Sequence, residues 1–406
     1  MERRSDQPTA STPTAPTAPL DAATGAVKGA VAITAIKAMQ VRTQGTLIKI
    51  ETDAGIVGYG ECHATGPLAR AVIATIGVGR LPHLGLIGKD PLAIGVHHHN
   101  LFYAFPQRGP YVRVLSGIDI ALWDLAGKLL GQPVSKLLGG NFRDEIPLYS
   151  HCTGGDYFDK AAWRDRVAEL TGGPEGFRAF KVDIHHPLGI AMQQYAPSIG
   201  PRDARRLSRA YALAREAFGP EIDIIVHGHC ELDVPSAIRV AEAIEDIDPL
   251  FYEDPIAPQF SESWLALRRA TRLPLMTGET LELAEQFLPF LQHQAVDTLQ
   301  PDIINAGGIT ATKRIADLAA LYRIPVCLHN VSGLILAMAS QQLSAAIFNC
   351  PLLECKRGDE QARIAASNAP LIRDGRMAVS TLPGLGLDLD FDRIKALRAE
   401  DEPWWG

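Results

Sequence analysis

Short apolar runs alternate with amphipathic stretches through the middle and C-terminal part of the chain. A run such as "FKVDI" (180–184) ends in polar or charged side chains, and a stretch of helical periodicity such as "VPSAIRVAEAIEDI" (234–247) precedes the next run. This repetition of strand and helix predicts consecutive βα units and a parallel sheet. Eight runs follow the pattern, at 146–152, 180–184, 222–228, 250–254, 274–279, 297–303, 324–330 and 351–356.

The polar residues that close these runs recur at a nearly constant spacing. From His227 to Glu354 the closing residues follow one another at intervals of 23 to 27 residues, the length of one strand, one helix and two short loops. Eight such units close into a (β/α)₈ barrel, in which catalytic residues lie at the C-terminal ends of the strands. A doubly wound open sheet is the alternative, but the chain has no GxGxxG motif, and eight successive units favour the closed ring.

Residues 29–146 follow a different pattern, which predicts a separate α+β domain. The segments "TLIKIET" and "IVGYGE" alternate apolar and polar residues on either side of a turn at 53–55. Apolar residues then recur at helical spacing from Val114 up to a stop signal at Gly131. Residues 1–28, which are rich in Pro, Thr and Ala, predict a disordered tail.

Composition and charge restrict the class of function. With 406 residues, 47% of them hydrophobic, the chain is long enough for two domains and typical of a globular protein. Its net charge of −7, without basic blocks, argues against nucleic acid or a membrane as partner and leaves a small molecule or a protein. The sequence shows no signal-peptide core or spanning segment, and its six cysteines form no CxxC pair, which predicts a cytoplasmic protein.

The predicted barrel gathers nine polar side chains at one mouth. Glu253 and Glu279 lie at the ends of adjacent predicted strands and would repel each other unless a cation lies between them. A single glutamate, in contrast, more often forms an ion pair or caps a helix. On a strand, His227 and His229 would point the same way, whereas either histidine alone is more often a surface or core residue. The nine are Lys181, Asp183, His227, His229, Glu253, Glu279, Asp302, His329 and Glu354.

Three of these residues suggest proton chemistry. Asp302 and His329 close neighbouring strands, so the carboxylate is expected to orient the imidazole as a general base. Lys181 would lie across the mouth, where it either stabilises a substrate carboxylate or neutralises buried acidic residues. A metal and a base together suit removal of the proton next to a carboxylate, because the metal stabilises the resulting enediolate.

An ordered set of motifs resembles one enzyme family. The motifs are "SGIDIALWDLAGKLLGQPVSKLLGG", "FKVD", "YEDP", "TGE", "LQPDIINAGGIT", "LHN", "LLE" and "PGLGLDLD". Over residues 31–406 they resemble the mandelate racemase-like branch of the enolase superfamily, in particular its acid-sugar dehydratases of the galactonate and mannonate type. The resemblance implies a capping domain at 29–146, a (β/α)₈ barrel at 147–370 and a C-terminal segment at 371–406 that returns to the capping domain.

The resemblance also implies a cofactor, a substrate and residue roles. The cofactor is Mg²⁺ held by three strand-end carboxylates, the substrate is a small sugar acid, and the protein is a homo-oligomer. Glu253 and Glu279 match the second and third metal ligands, and Asp302 and His329 match the catalytic dyad. Lys181 matches the first lysine of the second-strand motif, Glu354 the acidic residue of the last strand, and His229 the general acid for the leaving hydroxyl.

Two positions depart from the family pattern. His227 stands where the family has its first metal-binding aspartate, and an imidazole beside two carboxylates suits Mn²⁺, Fe²⁺, Zn²⁺ or Ni²⁺ better than Mg²⁺. Asp183 replaces a second lysine, which argues against a two-base racemase. The resemblance therefore implies a metal-dependent dehydratase that forms a 2-keto-3-deoxy acid. An epimerase or cycloisomerase, and a metal-poor barrel that only binds a partner, stay open as alternatives.

A few further features bear on the site. The resemblance places Arg42, His63 and Arg108 in capping loops over the barrel mouth. The histidines at 97–99 predict a surface helix rather than a metal site, because consecutive helical residues do not share a face. The glycine-rich segment at 306–310 predicts the turn after the sixth strand rather than a phosphate loop.

Overall fold

The structure is a computed structural model. The predicted tail at 1–28 lies outside the residues that it describes. Within the described residues, no helix is both long and apolar enough to cross a membrane. The described residues are 29–42, 45–77, 82–103, 108–153, 155–173, 175–192, 198–356, 364–366 and 372–405.

The N-terminal part forms the predicted antiparallel meander. Strands β1 (Ile33–Val41), β2 (Gly45–Thr52) and β3 (Val57–Cys62) pair in chain order, and the turn at 53–55 joins the last two, as predicted. Buried apolar residues of β1 and β2 belong to the same core as the helices that follow. This sheet is the platform on which the rest of the domain packs.

The predicted long helix is present as α3 (Pro110–Leu130) and lies against β3. The contact is close, because a Cβ atom at Gly60 would lie 1.9 Å from the carbonyl oxygen of Gly117, so only glycine fits there. The helix ends as predicted at Gly131, whose φ of 63° lies in the left-handed region. The other helices of this part are α1 (Gly66–Thr75), α2 (Ile94–Phe102) and α4 (Val134–Leu137).

The remaining strands close into a ring, which confirms the predicted (β/α)₈ barrel with its α+β capping domain. From β4 to β9 each strand pairs in parallel with the next, and β10 pairs in parallel with β4. The strands are β4 (Glu145–His151), β5 (Ala179–Asp183), β6 (Asp223–His227), β7 (Phe251–Glu253), β8 (Leu275–Thr277), β9 (Thr298–Leu299) and β10 (Leu353–Glu354).

The seventh predicted run, at 324–330, differs from a continuous strand. It joins its neighbours through the isolated bridges Leu299–Val326, Asp302–His329 and Leu328–Leu353. The run still fills the gap between β9 and β10, so the ring is closed there by single pairings.

Helices surround the ring in the predicted alternation. Three-residue 3₁₀ turns occur at Pro82–Leu84 and Glu245–Ile247. The helices of the barrel are α5 (Lys160–Thr171), α6 (His185–Leu188), α7 (Pro201–Phe218), α8 (Val234–Ile244), α9 (Glu262–Ala270), α10 (Leu283–Gln292), α11 (Ile303–Ala306), α12 (Gly308–Leu321) and α13 (Leu334–Ala346).

The C-terminal segment touches both parts of the molecule. A hairpin of β11 (Ile372–Arg373) and β12 (Arg376–Ala378) adds to β4, and α14 (Phe391–Leu397) follows. After α14, the amide of Ala399 donates to the carbonyl of Gln40 in β1. The end of the chain therefore lies on the N-terminal sheet.

Side chains inside the barrel form a small apolar layer. Ala179, Ile225, Phe251 and Cys327 belong to it, together with Tyr149 and Met276. Because side chains alternate along a strand, the residue two positions further on faces the same way. That position is Lys181, His227, Glu253 or His329, so the apolar layer forms the floor of a polar site at the carboxyl ends of the strands.

Candidate active site

A histidine and an aspartate form a hydrogen-bonded pair on one side of the mouth. Nδ1 of His329 donates to Oδ2 of Asp302 at 2.8 Å, which is the contact the sequence predicts. Asp302 is held in turn as the N-cap of α11, where its Oδ1 accepts from the amide of Ile304 at 2.7 Å. The imidazole is thereby fixed in orientation with its Nε2 turned to the mouth.

Nε2 of His329 faces two carboxylates. It lies 3.2 Å from Oε2 of Glu279 and 3.7 Å from Oε2 of Glu354. Burial opposes protonation of His329, but Glu279 and Glu354 raise the pKa of the imidazole well above its ordinary value. A general base must be neutral, so His329 can act as one only when another cation takes over the charge of Glu279.

Lys181 is fully buried among carboxylates. Its Nζ lies 2.8 Å from Oε1 of Glu253 and 2.6 Å from Oε1 of Glu354. Burial would lower the pKa of Lys181, but these two carboxylates raise it. The contacts correspond to the structural alternative, in which the lysine neutralises buried acidic residues.

Four residues near the centre of the mouth present metal-binding atoms to one another. His227, Glu253, Asp254 and Glu279 each offer one such atom, all within 4.8 Å of one another. Among the described residues, Nε2 of His227, Oε2 of Glu253 and Oδ2 of Asp254 are buried without a hydrogen-bond partner. Buried polar atoms are rarely left unpaired, so this group fits a divalent cation.

Asp183 lies behind His227. Its Oδ1 accepts from Nδ1 of His227 at 3.1 Å, which leaves Nε2 of that ring as the free nitrogen facing Glu253 and Glu279. Burial and Lys181 lower the pKa of His227, so the ring is neutral, as a metal ligand must be. A carboxylate behind a histidine ligand is the usual outer support of such sites. The two departures from the family pattern are thus in direct contact.

His229 meets the same carboxylate from another direction. Its Nε2 lies 3.1 Å from Oδ1 of Asp183, and its ring centroid is 3.7 Å from that of His227. The predicted convergence of the two rings is present, but strand alternation as its cause is wrong. Strand β6 ends at His227, and His229 and Cys230 have φ values of 53° and 61°, so a left-handed turn brings the second ring back.

The electrostatics of Asp183 and His229 favour opposite charges. Burial opposes ionisation of Asp183, but hydrogen bonds from the His227 and His229 rings hold the pKa of its carboxyl far below the ordinary value. Burial would lower the pKa of His229, and Asp183 raises it. The contact therefore favours a protonated His229 beside an ionised aspartate.

Comparison with known proteins identifies the family. The mandelate racemase / muconate lactonizing enzyme N-terminal domain matches residues 22–139, and the enolase C-terminal domain-like family matches residues 164–393. The chain belongs to this family of the enolase superfamily. The predicted family resemblance is confirmed.

Individual relatives agree with this assignment. The chain is 33% identical to a D-xylonate dehydratase of Haloferax volcanii, over 88% of this chain and 86% of the relative. It is 31% identical to a D-galactonate dehydratase of Ralstonia nicotianae, over 92% and 96% of the two chains. A solved mandelate racemase/muconate lactonizing enzyme-like protein from Rubrobacter xylanophilus matches with a TM-score of 0.82 and 30% identity, over 93% of this chain and all of that one.

Three residues of this enolase-superfamily site escaped the sequence analysis. Nε2 of His151 lies 2.6 Å from Oε1 of Glu354. His151 lies near the end of the first apolar run, and its position at a strand end is the signal that could have identified it. The side-chain amide of Gln300 donates to Oε1 of Glu253 at 2.9 Å. Asp254 turns inward because its φ is 43°, which no sequence pattern indicates.

The loops of the capping domain take different places. Nε2 of His63 lies 2.8 Å from Oγ of Ser332, three residues after His329, so His63 is at the mouth as expected. Arg42 is not: its guanidinium donates to the carbonyl of Ala396 in α14. Arg108 is exposed, next to Gly109, whose amide donates to Glu282 in the loop after β8.

The histidines at 97–99 lie on a helix, but the prediction of a surface position is wrong for two of them. His97 and His98 are buried, and Nε2 of His98 lies 3.1 Å from the carbonyl oxygen of Gly307. That glycine separates α11 from α12. The predicted turn at 306–310 is therefore only Gly307, because the flanking residues belong to the two helices and α11 comes between the strand and the turn. His97 and His98 are buried because their face of the helix packs the capping domain onto the barrel near Gly307.

Proposed function

We propose that this protein is a divalent-metal-dependent hydro-lyase that removes water from a sugar acid. The observation that carries the proposal is the flanking of the His227, Glu253 and Glu279 group by the Asp302–His329 pair on one side and His229 on the other. The dehydratase names of the two curated relatives support the reaction type. Their substrates, a five-carbon and a six-carbon acid, define the range of carboxylates to test.

The metal would be held by His227, Glu253 and Glu279, with Asp254 as a further carboxylate beside them. When bound, a divalent ion supplies the positive charge that stabilises an enediolate. The family favours Mg²⁺, whereas the imidazole of His227 favours Mn²⁺, Fe²⁺ or Zn²⁺.

The chain's own residues supply the proton transfers. Asp302 holds the Nδ1 proton of His329, so that Nε2 accepts the proton on the carbon next to the substrate carboxylate. His229, which Asp183 keeps protonated, donates its proton to the hydroxyl of the following carbon, and the carbon–oxygen bond breaks to release water. The enol that remains takes up a proton on the carbon that lost its hydroxyl, gives up its own hydroxyl proton and becomes the 2-keto-3-deoxy acid.

Lys181 and Glu354 act as positioning residues. The ammonium of Lys181 joins Glu253 to Glu354, and Glu354 also accepts from His151. This network holds Glu253 in place behind the reacting groups. Lys181 therefore sets the geometry and charge of the mouth and does not itself contact the substrate.

The same site bears on two alternative functions. An epimerase or cycloisomerase would share the removal of the α-proton, but the protonated His229 beside the mouth favours loss of a hydroxyl. A barrel that only binds a partner would have no use for three unpaired ligand atoms that lie together, among the described residues, at the end of strands β6 and β7.

The test is a sugar-acid screen with the untagged chain. The protein is stripped with a chelator and reloaded with Mg²⁺, Mn²⁺, Fe²⁺ or Zn²⁺, and five- and six-carbon aldonic acids are assayed for 2-keto-3-deoxy products. His329→Asn is expected to lower kcat/KM by about 10²–10⁴-fold, the usual contribution of a general base. His293→Gln, at an exposed histidine, is the control and should leave turnover unchanged.

Three outcomes would contradict the proposal. Full turnover in His329→Asn would remove the base from the mechanism. Exchange of the α-proton with solvent deuterium without loss of water would indicate epimerisation. A chain that retains no metal and turns over no acid would be the binding protein of the second alternative.

A further inference from the structure

A second group of potential metal ligands lies beside the first, in the segment that leaves β5. The strand ends at Asp183, and after Ile184 the short helix α6 begins with His185 and His186. Asp183, His185 and His186 each offer one ligand atom, and these atoms lie within 4.8 Å of one another. None of the roles proposed above uses His185 or His186.

Asp183 connects the two groups through its two oxygens. Oδ1 faces the rings of His227 and His229, each at 3.1 Å. Oδ2 lies 3.8 Å from Nε2 of His186, on the other side of the carboxylate. One carboxylate can therefore support His227 and still offer its second oxygen to a different ion.

His185 supplies an independent sign of a missing ligand. Its side chain is 4% exposed, and within the described part of the chain its Nδ1 has no hydrogen-bond partner. Its ring centroid lies 4.0 Å from that of His186 and 5.2 Å from that of His229. A buried imidazole among other imidazoles and one carboxylate, with an unpaired nitrogen, lacks the partner that buried polar groups normally have.

We propose that Asp183, His185 and His186 form a second divalent-cation site next to the first. Two imidazoles and one carboxylate select borderline ions such as Zn²⁺, Co²⁺ or Ni²⁺ over Mg²⁺ and Ca²⁺. The side chain of His186 is 35% exposed, so the site opens to solvent and has room for water ligands.

The experiment measures binding and does not depend on turnover. The untagged, metal-free full-length chain is dialysed against Co²⁺, and the bound metal is counted by elemental analysis and followed by visible absorption. Wild type is expected to bind two ions per chain. His186→Gln should bind one and retain the first site, Glu279→Gln should bind one and retain the second, and the control His293→Gln should bind two.

Any other outcome of this experiment overturns one of the two sites or both. A single ion that Glu279→Gln loses and His186→Gln keeps overturns the second site and leaves the proposed function intact. A single ion that only His186→Gln loses supports the second site and overturns the metal centre of the proposed function. Two ions in both variants, or none in a folded His186→Gln, overturns the assignment of His186 to a separate site. No ion in the wild type overturns both sites.

Discussion

Buried carboxylates occur in two regions of this molecule, and the two regions treat them differently. Where the capping domain meets the barrel, Glu61 accepts hydrogen bonds from Oγ of Ser332, the amide of Gly333 and, through its second oxygen, the amide of Leu336. Asp119 of α3 likewise accepts from both the amide and the hydroxyl of Thr310. Both oxygens of each carboxyl are occupied.

The barrel mouth leaves carboxylates incompletely paired. Oε2 of Glu253 and Oδ2 of Asp254 have no partner among the described residues, and the same is true of Nε2 of His227. The carboxyl groups at the domain interface hold two parts of the chain together with hydrogen bonds that the chain itself supplies. At the mouth, one oxygen of Glu253 and one of Asp254 lack such bonds, which marks these two carboxylates as binding groups rather than purely structural ones.

The charges of the two regions differ in the same way. Burial raises the pKa of Glu61 and of Asp119 to about 7, because the hydrogen bonds that each carboxyl accepts, and Arg314 near Asp119, offset only part of the cost of burying the charge. At the mouth, burial also opposes ionisation of Glu279, but His329 holds the pKa of that carboxyl below its ordinary value. Interface carboxyls therefore tolerate the neutral form, as Asp254 does at the mouth, whereas Glu279 favours negative charge next to His329.

The largest expected effect is a loss of activity on substitution of Glu279, which tests whether this carboxylate binds a metal or supports the fold. Glu279→Gln should lower kcat/KM by about 10³-fold or more, because loss of a metal ligand removes several kcal/mol of transition-state stabilisation. The thermal unfolding temperature of the metal-free chain should fall less than that of Glu61→Ala, because Glu61 accepts three buried hydrogen bonds whereas Glu279 keeps some contact with solvent. Steady-state kinetics and circular dichroism on the two proteins provide the comparison. A large fall in stability would mean that Glu279 is a structural carboxylate like Glu61.

Substitution of Glu61 at the domain interface should lower the stability of the protein and leave its metal binding unchanged. Glu61→Ala removes the acceptor for three donors, and unsatisfied buried donors are expected to lower the free energy of unfolding by about 3 kcal/mol. The metal stoichiometry of the folded variant should equal that of wild type. Urea unfolding at pH 7 and metal analysis test both statements, and unchanged stability would show that solvent can replace Glu61.

The smallest expected effect is a pH dependence at the interface. The folded chain binds a proton on Asp119 more tightly than the unfolded chain, because burial raises the folded pKa to about 7 from 3.8. Its contribution to stability is complete below the unfolded pKa and is lost as the pH rises through about 7.

Asp119→Asn cannot titrate and should lack this loss. Between pH 5 and pH 8, the stability of wild type relative to the variant should fall by about 2 kcal/mol. Urea unfolding of both proteins at the two pH values measures the difference. A difference that does not change with pH would mean that Asp119 is ionised in the folded chain throughout.

The fold could be predicted from the sequence because polar residues recur at the ends of the strands along the chain. The spacing of His227, Glu253 and Glu279 sufficed to predict adjacent strands of a closed barrel, and the contact between Asp302 and His329 followed from their neighbouring strands. His97 and His98 show the limit of the method. A helix predicted from its own residues carries no information about which turn of another domain it will cover.

The sequence by itself determined the order of the strands and helices, the family and the ring of polar residues at the strand ends. The order of the elements and the ring follow from periodicity and spacing, and the family follows from the resemblance of the motifs; all of these are local properties of the chain. Apart from the contact between Asp302 and His329, only the tertiary structure decided how those residues pair. That Asp183 supports both His227 and His229, that a left-handed turn at His229 returns its ring to the mouth, and that Glu253 keeps one oxygen unpaired all depend on segments that are distant in sequence. The pairing of buried charged groups depends on all the groups around them in space, and these groups come from several segments of the chain.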